Sequence, residues 1–401
     1  MDLGLSLQLI PPSSYATYKS EVIFKSFKWD PQVGDVNTIA RYALVLDKTA
    51  AQELEKAAEQ LTAEVFQLEQ ALLNKLHLAA ELGLAPKVRR QLKRIKEATS
   101  QQHIRLMRFD FHPTSDGWRI SEVNSDVPAG EAENSTLPKV ALPYLKDCHL
   151  GKNVVEKLAL AFQTKTPADS LIALVHATAY ADDRQIASCL AAGFSDYGLP
   201  TVLVAPDHLE WEQRQAYLKV NGLKTGGIYR HFPFEWLPQL ADRACWLGYF
   251  DCLTPCCNPA IAVLSQSKRL PLIWDQLAVD IPAWRQLLPP TRSIKDNRKE
   301  NNWIFKPAYG RVGDGITITG ALEDKEERRI KTAVRHQRKY WLQQQRFESQ
   351  TLAGINDERF HLCLGVYSVD GQAAGFYGRI SEYPRIDERA QDIAVLIKGR
   401  E

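Results

Sequence analysis

The chain of 401 residues has almost no net charge: 50 Lys and Arg stand against 48 Asp and Glu, a formal +2. A balance this close leaves no global field for nucleic acid or an anionic membrane, so a charged ligand has to be met by local groups. No apolar run approaches the ~18 residues needed to cross a bilayer. The opening MDLGLSLQLIPPSSY lacks the basic start of a leader and soon meets Pro11 and Pro12. A cytoplasmic protein with no membrane and no nucleic-acid partner is the expectation. Cysteine is sparse and odd in number, seven in all, which reads as reduced thiols rather than a disulfide frame. Cys245, Cys252, Cys256 and Cys257 fall close together, but without paired C-x-x-C knuckles they read as buried small hydrophobes rather than zinc ligands. Internal repeats and low-complexity stretches are also missing.

What is present suits a globular protein of two or three domains, with 45% hydrophobic residues to fill its cores. Residues 48 to 82 carry apolar positions at three and four spacing and predict one long amphipathic helix, ended by Gly83. In KVRRQLKRIK, 87 to 96, Val88, Leu92 and Ile95 share one helical stripe, so its basic residues form a solvated face. From about 168 to 245, SLIALVHATAY, DDRQIASCLAAGF and TVLVAP alternate strand, helix and strand, the rhythm of a small parallel α/β unit. LTPCCNPA marks its end. Asp182 and Asp183 open the helix of that unit and suit its N-cap.

Chemistry concentrates in two stretches. In MRFDFHPTSDGWRISEVNSD, 107 to 126, period-two alternation puts Arg108 and Asp110 on one face of a first strand, and Glu122 and Asn124 on one face of a second. A hairpin folded symmetrically about Asp116 sets Asp110 opposite Glu122 and Arg108 opposite Asn124. Facing carboxylates repel unless a cation or proton lies between them, and an all-oxygen donor set suits Mg²⁺. Arg108 is placed to hold a phosphate or a developing oxyanion. The bland alternative is the wet face of an antiparallel sheet, and a glycosidase's acid and base is another. In WIFKPAYGRVGDGITITG, 303 to 320, a strand, a loop with Gly310, Gly313 and Gly315, and a returning strand put Lys306 within reach of nucleotide phosphates, with a plain hairpin on a glycine turn as the bland alternative. G-K-[ST], H-R-D and D-F-G are absent, which excludes a Walker A loop and a protein kinase.

Taken together, Arg108-x-Asp110, Glu122-x-Asn124 with Asp126 and Pro128, IYRHFPFEWL at 228 to 237, Ser267-Lys268 ahead of LPLIW, and Lys306-Pro307 with Gly310-Arg311 and Gly313 resemble the synthetase domain of the glutathionylspermidine synthase family. The resemblance runs from about 105 to 400. It implies an α/β protein with a circularly permuted ATP-grasp fold: an N-terminal helical segment over 1–104, a metal-binding part over 105–165, a pre-ATP-grasp α/β domain over 166–258 and a nucleotide-binding part over 259–401. It also implies an ATP-dependent acid-amine ligase that phosphorylates a carboxylate and lets an amine displace the phosphate, using ATP and two Mg²⁺ ions on small-molecule acid and amine substrates.

By the same resemblance, Asp110, Glu122 and Asn124 look like metal ligands and Lys268 and Lys306 like phosphate lysines. Gly310 and Gly313 belong to the nucleotide loop, and Arg108, Arg311 and Arg379 look like catalytic cations. YWLQQQRF resembles the strand leading to the adenine. No amidase part with a Cys and His pair is seen, so the chain resembles the short, synthetase-only branch. Val127, Ala129 and Val312 depart from the residues usual at those positions, which opens the acid substrate and the loop contacts. An inactive ATP-binding scaffold or sensor and a peptide-forming ligase are the alternatives.

Overall fold

The computed structural model describes residues 3–95, 102–241, 244–294, 302–311, 313, 315–318, 322 and 324–399. Seven strands form the main path of a nine-stranded sheet, in the order β1 (Leu5–Leu9), β2 (Ile39–Leu46), β13 (Gln391–Lys398), β12 (Gln372–Ser381), β11 (Arg359–Val369), β3 (Leu106–Thr114) and β4 (Gly117–Asn124). All neighbours along it are antiparallel except β2 beside β13. The N-terminal segment 1–104, expected to carry a long helix, also supplies two strands of the main sheet. All of the run ARYALVL except Arg41 is buried, so it shows no alternation to read.

Alternation decides which face of this sheet meets the core. Phe109, Phe111, Leu362, Leu364, Val366, Phe376 and Ile380 turn to one side and join Leu54, Ala58, Leu61, Val65, Leu68 and Leu72 of α2 (Lys48–Asn74) in the largest core cluster. That stripe recurs every three or four residues, as the expected helix requires. After Asn74 the chain tightens to a 3₁₀ turn over Leu76–Leu82, and Gly83, at φ +76, ends it. α3 (Pro86–Leu92) buries Val88 and Leu92, with Ile95 just beyond, and exposes Lys87, Arg90, Lys93 and Arg94, as the stripe predicted. The intervening residues of the sheet, Arg108, Asp110, His361, Cys363, Tyr377 and Arg379, face a cavity on the other side.

A second sheet is wholly parallel, in the order β8 (Cys256–Cys257), β7 (Gly227–His231), β5 (Ile172–His176) and β6 (Thr201–Val204), with α6 (Ala181–Ser195) crossing from β5 to β6. The LTPCCNPA stretch thus ends the α/β unit by contributing its outer strand. Cys252, Cys256 and Cys257 are buried there as free thiols, while Cys245 is exposed. A third, small sheet pairs β9 (Trp303–Pro307) with β10 (Trp341–Gln345), and Thr291–Arg292 lies on the other side of β10. Phe305 and Trp341 pack there against Ile330 and Val334 of α7 (Asp324–His336). Among the described residues no strand returns from the glycine loop beside β9. Thr317 only touches Phe305, donating its N–H to the Phe305 carbonyl at 3.2 Å and accepting from the Phe305 N–H on its hydroxyl at 2.8 Å.

Candidate active site

The β3–β4 hairpin sets the geometry. The turn closes between Thr114 and Gly117, one step from the symmetry expected about Asp116. Arg108 nonetheless pairs with Asn124 as predicted, because a β-bulge between the 109/123 and 111/120 pairs inserts one extra residue into β4. Asp110 consequently faces both Ser121 and Glu122 instead of Glu122 alone. Both line the cavity, and the Ser121 carbonyl accepts from Lys306 Nζ at 3.1 Å. Through that bond β9 of the small sheet reaches the hairpin.

Arg108 grips Asp110 with two hydrogen bonds, Nε to Oδ1 at 2.7 Å and Nη2 to Oδ2 at 3.0 Å. Its remaining donor reaches the Ala129 carbonyl, and its guanidinium lies 5.2 Å from the Tyr377 ring centre. Gly365, directly opposite Asp110 on β11, makes room for this arginine: a Cβ there would sit 2.5 Å from Arg108 Cδ. Asn124 Nδ2 donates to Asp110 Oδ2 at 3.1 Å and to Glu122 Oε1 at 3.4 Å. Lys268 lies 2.8 Å from Glu122 Oε2 and donates to the Gly310 carbonyl at 2.7 Å. It sits in a turn after the short helix Ala262–Ser265.

Burial raises the cost of every charge here, and the neighbours decide which charges survive. Glu122 is pushed upward by burial, yet Lys268 and Lys306 hold it at about 2. Burial lowers the Lys306 ammonium to about 8; Glu122 and Asp110 oppose that shift, while Lys268 adds to it. At neutral pH the site therefore holds an ionised carboxylate between two lysines.

Arg108, Asp110, Glu122, Lys306, Gly313 and Arg379 line one cavity of about 740 Å³. Lys268, Asn124 and Gly310 adjoin it through Glu122 and Lys268. Gly313, at φ +69, lies so close to the Ile386 carbonyl that a Cβ would meet it at 2.7 Å. Arg379 donates to the Asp387 carbonyl, with Nε 3.9 Å from Asp392 Oδ1. Arg311 goes elsewhere: it pairs with Glu235 at 2.6 Å and stacks over Trp236, on the loop after β7. Val312 falls outside the described residues.

Asp126 serves the frame. It is fully buried, paired with Arg230 and accepting from the Phe234 N–H at 2.9 Å, and so ties the hairpin to the parallel sheet. Asp182 and Asp183 lie in the first turn of α6 rather than at its N-cap, Tyr180. Asp182 lines the cavity, and burial lifts Asp183 to about 6.

Lys28, Glu133, Tyr377 and Asp392 also line the cavity, and nothing in their local sequence marks them, since each is a single polar residue brought in from a different element. Oxygen donors from Asp110, Glu122 and, after a turn of its amide, Asn124 match a hard cation, and the buried Lys306 matches a phosphate. Among the described residues no group of three or more His, Cys, Asp or Glu side chains is placed to hold an ion, so the candidate set is two carboxylates and one carboxamide.

The family model for the glutathionylspermidine synthase pre-ATP-grasp region matches residues 16–398. The apo structure of a glutathione synthetase-like effector, GSS30, from Globodera pallida superposes with a TM-score of 0.62 at 11% identity, covering 97% of this chain and 99% of that one. A protein assigned as a γ-glutamylcysteine synthetase from Methylobacillus flagellatus KT gives a TM-score of 0.46 at 13% identity, over 83% of this chain and 88% of that one. No curated protein matches. The fold is thus mixed α/β and ATP-grasp-like.

Proposed function

Because this chain belongs to the glutathionylspermidine synthase family, we propose that it is an ATP-dependent acid-amine ligase working through an acyl phosphate. The observation that carries this reading is the meeting, around one cavity, of two carboxylates and a carboxamide from the hairpin with two lysines from distant parts of the chain. Asp110, Glu122 and Asn124 would hold Mg²⁺, which when bound neutralises phosphate charge. Lys306 and Lys268 hold the phosphates, and Gly310 and Gly313 let the backbone approach them. Ile304, Ile316, Ile318 and Phe347, at the end of the cavity beside β9 and β10, suit the base.

In this reading Arg108 and Arg379 steady the transferred phosphoryl group. An oxygen of the acid bonds to the terminal phosphorus as ADP leaves. The amine nitrogen then bonds to the acyl carbon, phosphate leaves, and the amine gives up a proton. Asp30, Asp182 and Glu388, which line the same cavity, suit a cationic amine. Purified protein with Mg²⁺-ATP should release ADP only when acid and amine are both supplied, and Glu122→Ala should abolish that release. ADP formation unchanged in Glu122→Ala would refute the reading. A second reading, an ATP-binding scaffold or sensor without turnover, is favoured by the engagement of Arg311 with Glu235 outside the cavity; ATP binding with no ADP over a broad panel would select it.

A further inference from the structure

The N-terminal segment enters the cavity wall through Lys28, Asp30, Gln32, Val33 and Thr38. Helix α1 (Tyr15–Lys25) is followed by Phe27 at φ +59, a left-handed conformation that a bulky residue adopts only when its surroundings enforce it. Its ring packs on the second core cluster and against Trp29. Lys28 then runs into the wall, its side chain only 16% exposed, with Nζ 3.0 Å from Glu133 Oε1 and 2.8 Å from Asp392 Oδ2. The surroundings fix this arrangement. The Trp29 N–H donates to Gln185 Oε1 at 2.8 Å, the Asp392 N–H donates to the Thr38 carbonyl at 2.7 Å, and the Tyr377 hydroxyl donates to Asp392 Oδ1 at 2.7 Å.

Chemically, the end of a lysine is a primary alkylammonium with three donors, the same group that a linear amine presents. The Glu133–Asp392 pair, 13% and 6% exposed, is the kind of site a substrate ammonium would take, and the protein fills it with its own. A second ammonium brought to the pair would meet Lys28 at close range in a poorly solvated wall, where like charges repel strongly. Asp30, Asp182 and Glu388, which line the same cavity, are left for the substrate.

Building on the ligase reading above, we propose that Lys28 determines amine specificity: it is a built-in alkylammonium occupying the Glu133–Asp392 pair, so the enzyme takes a short mono- or diamine and turns away a longer polyamine that would need that pair.

The test is replacement of the cation. Lys28→Ala leaves Glu133 without its cation and Asp392 with only the Arg379 Nε at 3.9 Å, and should lower the Tm. n-Butylammonium chloride should restore the Tm saturably, well beyond equal concentrations of sodium or tetramethylammonium chloride, and should leave the wild type unmoved. By calorimetry, spermidine, a linear triamine, should bind Lys28→Ala at least tenfold more tightly than the wild type, while Lys28→Arg, which keeps the charge, should match the wild type. If Lys28→Ala does not fold, Lys28→Met carries the same spermidine comparison. Equal spermidine affinity in variant and wild type, or a butylammonium response no larger than that to tetramethylammonium, overturns the proposal. Acid- and amine-dependent ADP release by the wild type is scored separately. Cation replacement without ADP release ends the ligase reading and keeps Lys28 as the occupant of the pair; ADP release with no change in spermidine binding ends the Lys28 proposal alone.

Discussion

Lys268 Nζ lies 2.8 Å from Glu122 Oε2, joining a turn in the second half of the chain to a hairpin more than a hundred residues earlier. The pair also orders the glycine loop, because the same ammonium donates to the Gly310 carbonyl. Lys268→Met should weaken Mg²⁺-ATP binding by about 1.5–3 kcal/mol, the usual worth of a hydrogen bond to a charged group. Calorimetric titration of wild type and variant checks this; an unchanged Kd would place Lys268 outside the phosphate site.

Nucleotide affinity should fall in alkaline solution. Lys306 in the free protein has been brought down to about 8 by burial, so it is charged below that value and loses its proton above it. A bound phosphate favours the charged form. Binding therefore takes up a proton above pH 8, and affinity should drop by up to tenfold per pH unit there. Titrations from pH 7 to 9.5 measure the slope, and Lys306→Arg, charged throughout, should flatten it.

Gly365→Ala tests the seat of Arg108. The new methyl would stand 2.5 Å from Arg108 Cδ and 3.0 Å from its Nε, forcing the guanidinium off Asp110. The expected cost is about 1–3 kcal/mol in stability, with ADP release falling at least tenfold. Urea denaturation and steady-state kinetics read the two effects.

Glu131 should make stability depend on pH. It is fully buried; burial raises it from 4.5 to about 7, and its Oε1 accepts from the Tyr229 hydroxyl at 2.5 Å. A carboxyl whose folded value lies above its unfolded one contributes fully below about pH 4.5, and that contribution is lost as pH rises through 7. The full span is roughly 3 kcal/mol. Glu131→Gln has no proton to lose, so its stability relative to wild type should climb between pH 5 and 7.5 in urea titrations. Parallel curves for the two proteins would show that Glu131 stays ionised throughout.

Much of this arrangement is legible in the sequence. Arg108, Asp110, Glu122 and Asn124 announced a shared face because strand alternation is a local rule, and Val88, Leu92 and Ile95 announced a buried stripe for the same reason. The bulge at Ser121 and Glu122 could not be read, since an extra residue in a strand leaves no mark in composition, only in pairing. Strand β2 carries no such signal, because burial of every residue but Arg41 erases the alternation that identifies a strand. Lys28, Tyr377 and Asp392 stayed hidden because each is one ordinary polar residue until three distant segments converge.

By itself, then, the order of amino acids determined the local periodicities, the charge balance and the motif spacing, all of which depend on neighbours a few positions apart. Tertiary structure decided that Lys306 reaches the Ser121 carbonyl, that Arg311 turns toward Glu235, and that Lys28 lies between Glu133 and Asp392. Those outcomes rest on long-range packing, and on the need of each buried charge to find a partner that only the completed fold brings near.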